Sequence, residues 1–161
     1  MTTYTAILPS PVGELQVAVD ERGVLLRIDF QGHHQSADGD RQDARRCAHV
    51  LAQLREYFAG ERTEFALELA PAGTGFQQRA WRALQQIPFG RTASYQQQAA
   101  RLGKPRAMRA VGAANGRNPI PIVVPCHRVI GKDGTLTGFG GGLPTKRWLL
   151  DHEAAVQARR A

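Results

Sequence analysis

The chain has 161 residues, 42% of them hydrophobic and 22% charged, enough for one large domain or two small ones, with no low-complexity tract. No apolar run approaches the ~20 residues of a membrane-spanning helix, and the opening MTTYTAILPSPVGELQV lacks the basic start and roughly 7–15-residue apolar stretch of a signal peptide. A cytoplasmic protein with no membrane contact is expected. The formal charge of +7 is unevenly spread: residues 1–75 hold 7 Lys/Arg against 11 Asp/Glu, and residues 76–161 hold 14 against 3. An acidic first unit and a basic second unit facing a polyanion follow from that asymmetry.

In chain order, YTAIL, ELQVAVD and GVLLRIDF read as antiparallel strands separated by SPVG and ERG turns. QGHHQSADGDRQD is polar and glycine-bearing and reads as a loop. A helix is expected from Asp43 to Ala59, with Ala48, Leu51, Leu54, Tyr57 and Phe58 on one face, and FALELAP supplies another strand. PAGTG, residues 71–75, falls where the charge changes sign and reads as a linker, giving domains 1–75 and 76–161. Beyond it, Phe76–Ile87 has helical spacing and is stopped by PFG.

TASYQQQAARLGKPRAMRAVGAANGRNP divides into a short helix, Ser94–Leu102, a Gly103-Lys104 turn, and a second helix with Pro105 in its first turn. Two short helices around a glycine turn fit a helix-turn-helix. The second carries Arg106 and Arg109 among small residues, including Ala110 and Gly112, which permit close approach to a groove floor. With the basic balance of this half, DNA binding is expected.

Two cysteines remain. Cys47 lies within the expected helix, neither cysteine belongs to a CxxC, and His33, His34, His49, His127 and His152 have no zinc spacing. No metal and no organic cofactor are expected. Cys126 stands in NPIPIVVPCHRVIG beside His127 and Arg128. A free thiol with a pKa of about 8.5 needs a cation or a base to react at neutral pH. A histidine base in turn needs an orienting carboxylate, and the acids after residue 75 are Asp133, Asp151 and Glu153.

The stretches FGRTASY, RAVGAANGRNP, PCHRV and GGGLPTKRWLLDHE, contiguous and in order from Phe76 to Glu153, resemble the O6-alkylguanine-DNA alkyltransferases (methylated-DNA–protein-cysteine methyltransferases). The resemblance implies an α/β protein of two small domains: an N-terminal sheet with a helix, and a C-terminal, mainly helical domain whose helix-turn-helix enters the minor groove of double-stranded DNA. It implies that a damaged guanine is flipped out and that Cys126 takes its alkyl group irreversibly, in a single turnover. On the same ground His127 takes the thiol proton through a water, Glu153 orients and charges the His127 imidazole, and Tyr95 donates to the leaving guanine. Asn118 holds the turn before the cysteine, and Arg109 fills the space that the base leaves. Ser94, Val129, Phe139 and Gly140 line the guanine pocket. Ser94, Arg106, Arg109, Ala110, Gly112 and Arg128 are the expected DNA contacts.

Gly140 stands where some relatives carry serine, which implies room for bulkier alkyl groups. O4-alkylthymine is an expected minor substrate, and a monomer the expected acting form, with cooperative loading on DNA left open. Two other classes compete: a cysteine hydrolase using a Cys-His-Glu triad, which would turn over, and a lesion-binding or repressor module without chemistry, which would not need Cys126.

Overall fold

The computed structural model describes residues 2–160, so residues 1 and 161, the outer ends of the two expected domains, lie outside the described residues. The chain divides between Ala72 and Gly73 into two compact units. In the first, β1 (Tyr4–Leu8) and β2 (Leu15–Val19) form an antiparallel hairpin that pairs Tyr4 with Val19 and Leu8 with Leu15. β3 (Leu25–Asp29) adds antiparallel to β2, and β4 (Arg41–Gln42) adds parallel to β1, for the order β3-β2-β1-β4. Leu15, Val17 and Val19, which share one face of β2, are fully buried, and so is Ala18 on the other face. α1 (Ala48–Phe58) contributes Val50, Leu51, Leu54 and Tyr57 to that core.

Three local expectations change in this unit. The stretch read as a loop contains β4, because the Arg41 and Asp43 N–H groups donate to the Thr3 and Thr5 carbonyls at 2.9 Å. The helix begins at Ala48 rather than Asp43: Asp43 Oδ1 accepts the Arg46 N–H at 3.1 Å and holds residues 44–47 in a turn. FALELAP forms only a bridge, Leu69 to Leu25, before Pro71 ends the pairing.

The second unit is mainly helical. α2 (Gly75–Leu84) opens on Thr74, whose hydroxyl accepts the Gln77 N–H while the Gln77 side chain accepts the Thr74 N–H. Thr74 and Gly75 thus begin a helix, and α2 ends at Leu84 rather than Ile87. β5 (Ala93–Ser94) leads into α3 (Tyr95–Arg101), with Ser94 and Gln97 repeating the same reciprocal cap. Gly103, at φ +72°, makes the turn, and α4 (Met108–Gly116) follows. Pro105 and Arg106 lie in a turn closed by the Ala107 N–H on the Lys104 carbonyl at 2.9 Å, not in the helix as expected. The i→i−4 ladder starts only where the Val111 N–H meets the Ala107 carbonyl.

Buried side chains lock the helices together. Gln98 and Asn115 exchange two amide hydrogen bonds of 2.9 and 2.8 Å, and Gln98 also donates to the Ala80 carbonyl at 3.2 Å. Trp81 Nε1–H donates to the Ala114 carbonyl at 2.8 Å. After α4 come a short 3-10 turn, Cys126–Arg128, then β6 (Val129–Ile130), parallel to β5, and α5 (Leu143–Arg160). α5 buries Lys146, Leu149, Glu153 and Val156 on one face. The fold is therefore mixed α/β, a sheet with one helix followed by a helical unit. Among the described residues no helix is long and apolar enough to cross a membrane.

Candidate active site

Asn118 opens the segment that delivers Cys126. Its Oδ1 accepts the Ile120 N–H at 3.0 Å and its Nδ2–H donates to the Val124 carbonyl at 2.8 Å, so one side chain ties both ends of the segment. Between them the chain makes successive three-residue turns, Val123 N–H to the Pro121 carbonyl (2.9 Å) and Cys126 N–H to the Val124 carbonyl (2.8 Å). The first holds Ile122 at φ +75°, which a β-branched residue avoids. Burial of Ile120, Ile122 and Val124 holds it there. Ile122→Gly is therefore expected to be more stable than Ile122→Ala by about 1 kcal/mol, the reverse of the usual order. Urea midpoints of the two variants check it, and an Ala variant at least as stable as Gly would disprove the strain.

Cys126 is half-buried, while His127 is fully buried and Arg128 and Glu153 nearly so. His127 Nε2–H donates to Glu153 Oε2 at 2.7 Å, and Arg128 donates from Nε to Oε1 at 2.8 Å and from Nη2 to Oε2 at 3.1 Å. Arg128 Nη1 donates to the Ile87 carbonyl at 2.7 Å, and the guanidinium lies over the Phe89 ring. Burial acts to raise the Glu153 pKa, but the bonds and charges of His127 and Arg128 outweigh it and hold the carboxyl well below its usual range. An ionised carboxylate only accepts, which assigns the imidazole hydrogen to Nε2 and leaves Nδ1 as a lone pair. Nδ1 is buried without a hydrogen-bond partner among the described residues.

Burial also lowers the His127 pKa; Glu153 raises it, Arg128 and Lys146 lower it, and the net result is downward. Burial pushes the Cys126 thiol up against the pull of the Asn118 hydrogen bond, the Lys146 charge and its own backbone bond. The resting pair is therefore a thiol beside a neutral imidazole. The unfolded chain takes up a proton at His127 below the ordinary value of 6.5 that the folded chain declines. Stability contributed by His127 is thus present above that pH and falls below it, and Glu153 adds a second loss below its ordinary value of 4.5. Urea midpoints at about pH 7.5, 6 and 4 should fall in that order.

Lys146, unforeseen, is fully buried, and its Nζ donates to the Val129 carbonyl at 2.7 Å and the Thr137 carbonyl at 2.8 Å. Burial lowers its pKa and the Cys126 charge raises it, with burial prevailing. Thr137 Oγ1 in turn lies 2.9 Å from the Tyr95 hydroxyl. The sequence signal for Lys146 was its place on the stripe of α5 with Leu149, Glu153 and Val156. Thr137 sits in a loop and had no signal. The structure thus links Asn118, Cys126, His127, Arg128, Glu153, Lys146, Val129, Thr137 and Tyr95 through bonds or direct charge interactions.

Other expected positions lie elsewhere. Ser94 caps α3. Arg106, Arg109 and Ala110 are exposed on or before α4, and neither arginine has an ion pair among the described residues. A Cβ on Gly112 would point at the Tyr95 ring, 3.8 Å away, so this glycine serves the packing of α4 on α3. Arg128, expected on DNA, is instead buried, because Glu153, Ile87 and Phe89 satisfy its guanidinium. Phe139 is half-buried, and a Cβ on Gly140 would meet nothing within 4 Å. In the first unit, burial pushes the Cys47 thiol up to about 11, while His49 and His34 lie against the Gly23 and Glu14 carbonyls. No three His, Cys, Asp or Glu among the described residues gather where a metal would sit.

Residues 75–155 match the family described as 6-O-methylguanine DNA methyltransferase, DNA binding domain, and residues 3–71 match its ribonuclease-like domain. A methylated-DNA–protein-cysteine methyltransferase of Mycolicibacterium paratuberculosis is 52% identical over 142 residues, covering 88% of this chain and 86% of the relative. One from Methanosarcina barkeri is 46% identical over 153 residues, covering 93% and 96%. Among solved structures, Mycobacterium tuberculosis OGT in complex with DNA superposes with a TM-score of 0.89 at 46% identity, covering 97% of this chain and 94% of that one.

Proposed function

Because the chain belongs to the 6-O-methylguanine DNA methyltransferase family, we propose that it repairs DNA by moving the alkyl group of a flipped-out O6-alkylguanine onto the sulfur of Cys126. The observation that carries this reading is the buried Glu153–His127 bond of 2.7 Å next to a half-buried cysteine. The thiol proton passes toward Nδ1, over a bridging water, as sulfur attacks the alkyl carbon. The S–C bond forms, the C–O6 bond breaks, and the electron pair leaves with guanine. Tyr95, on α3, offers its hydroxyl hydrogen to that leaving base, because a neutral guanine departs more readily than an anion. The thioether is a poor leaving group, so each molecule acts once.

The second domain, 76–161, carries both chemistry and DNA. Exposed Arg106 and Arg109, with small Ala110, form the face that meets the duplex, and Arg109 fills the gap left by the flipped base. Phe139 and Gly140 border the base pocket, with Val129 and Ser94. O4-alkylthymine, with the same alkyl–oxygen bond, is a minor substrate. The protein acts as a monomer in the compartment that holds DNA, the cytoplasm.

The test is incubation with a duplex containing O6-methylguanine, followed by intact-mass measurement. One methyl per chain is expected in the wild type and none in Cys126→Ser, with DNA affinity retained. Lesion loss beyond one per protein molecule, at constant protein mass, would establish a turning-over enzyme and overturn the reading.

A further inference from the structure

Arg128 is the largest departure from the expected roles. A residue meant for DNA gives up its charge to the interior, where an arginine is found only when it is paired. Its fork spans both oxygens of Glu153, at 2.8 and 3.1 Å, and its remaining arm is fixed on the Ile87 carbonyl at 2.7 Å. Glu153 Oε2 is the same oxygen that accepts from His127. The carboxylate is thereby shared between a permanent cation and an imidazole that must change charge during the reaction.

That sharing has a chemical consequence. A lone buried carboxylate beside a histidine draws a proton onto the ring and holds it there. An imidazolium has no lone pair on Nδ1 and cannot accept the thiol proton. With Arg128 present, the carboxylate is already neutralised; it orients the ring through Nε2–H without charging it.

We propose that Arg128 is a positioning residue of the transfer reaction: by neutralising Glu153 it keeps the His127 ring uncharged, so that Nδ1 is open to the Cys126 proton. The proposal rests on the reading of Cys126 as the alkyl acceptor. The other charged groups around His127 are accounted for. Lys146 faces it from α5 and acts in the same direction as Arg128. Arg147 and Asp151, farther along α5, are exposed and pair with each other, and His152 stacks on Trp148. Arg79 and Arg82 of α2 are exposed.

The test compares the full-length wild type with Arg128→Met and Arg128→Lys. One measurement is the pH dependence of the single-turnover methyl-transfer rate; the other is the protonation of His127, read from long-range 1H–15N histidine spectra without DNA. In Arg128→Met the acid limb of the rate profile and the His127 titration should both move up by about one pH unit or more. Arg128→Lys, which keeps the charge, should return both toward the wild type. A uniform loss of rate at every pH with an unmoved His127 titration would overturn the proposal, since that is what a packing role alone predicts. If Arg128→Met does not fold, Arg128→Gln, which offers Glu153 a hydrogen-bond donor without the charge, takes its place in the same Glu153-containing chain, and an unmoved His127 titration in it overturns the proposal. The spectra need no substrate, so a protein that never takes up methyl would refute the proposed function separately.

Discussion

Glu153→Ala is expected to lower the unfolding free energy by about 3–5 kcal/mol and to stop methyl uptake within the time the wild type needs for completion. The carboxylate is almost wholly buried and accepts from His127 and twice from Arg128. Removing it leaves a guanidinium inside the protein with the Ile87 carbonyl and the Phe89 ring but no counter-charge, and a histidine whose tautomer is no longer fixed. Glu153→Gln separates the two losses. The amide keeps the shape and one acceptor, so it should recover part of the stability while remaining slow, because its NH2 competes as a donor against Arg128 and the His127 ring. Urea unfolding and quenched-flow methyl transfer give the two numbers. A Glu153→Ala protein as stable as the wild type would mean that the clamp does not hold in solution.

The second large effect belongs to Lys146. Lys146→Met fills similar space but leaves the Val129 and Thr137 carbonyls without their donor, at about 1–3 kcal/mol for each buried acceptor left unpaired. It also removes the Lys146 charge that favours the anion of a thiol which burial already disfavours as an anion. Transfer should slow at least about tenfold, equivalent to about 1.4 kcal/mol in the barrier, with the deficit shrinking as pH rises and the sulfur ionises unaided. Amide exchange around Thr137 should quicken in the same variant, since the loop loses its anchor. A pH-independent deficit would assign the whole effect to the loop and none to the sulfur.

Much of this was legible in the residues, and the illegible part has a common cause. Along β2, Leu15, Val17 and Val19 place an apolar residue on the core at every second position, an alternation that the sequence displays directly. Cys126 and His127 stand side by side, and only three acids in the basic half offered a partner for the ring. The bond to Glu153 singles one of them out over a separation of 26 residues. The burial of Arg128 depends on acceptors that the fold brings from elsewhere, the Glu153 carboxylate and the Ile87 carbonyl, and that of Lys146 on the Val129 and Thr137 carbonyls. Both are long-range pairings, which periodicity does not encode. The boundary errors, at Asp43, Pro105 and Ile87, come from turns that side-chain or backbone hydrogen bonds close locally. There the last or first helical turn is a matter of one bond.

The reciprocal amide pair of Gln98 and Asn115 bears on how this sequence can drift. Each amide answers the other's donor and acceptor, so replacing one alone by an apolar residue strands a polar group between α3 and α4, while replacing both can be nearly neutral. The two positions are therefore bound to change together, and in relatives descending from this chain an amide at one should predict an amide at the other. Such paired substitution would record, in sequence alone, that the two helices carrying Tyr95 and Arg109 have kept their register.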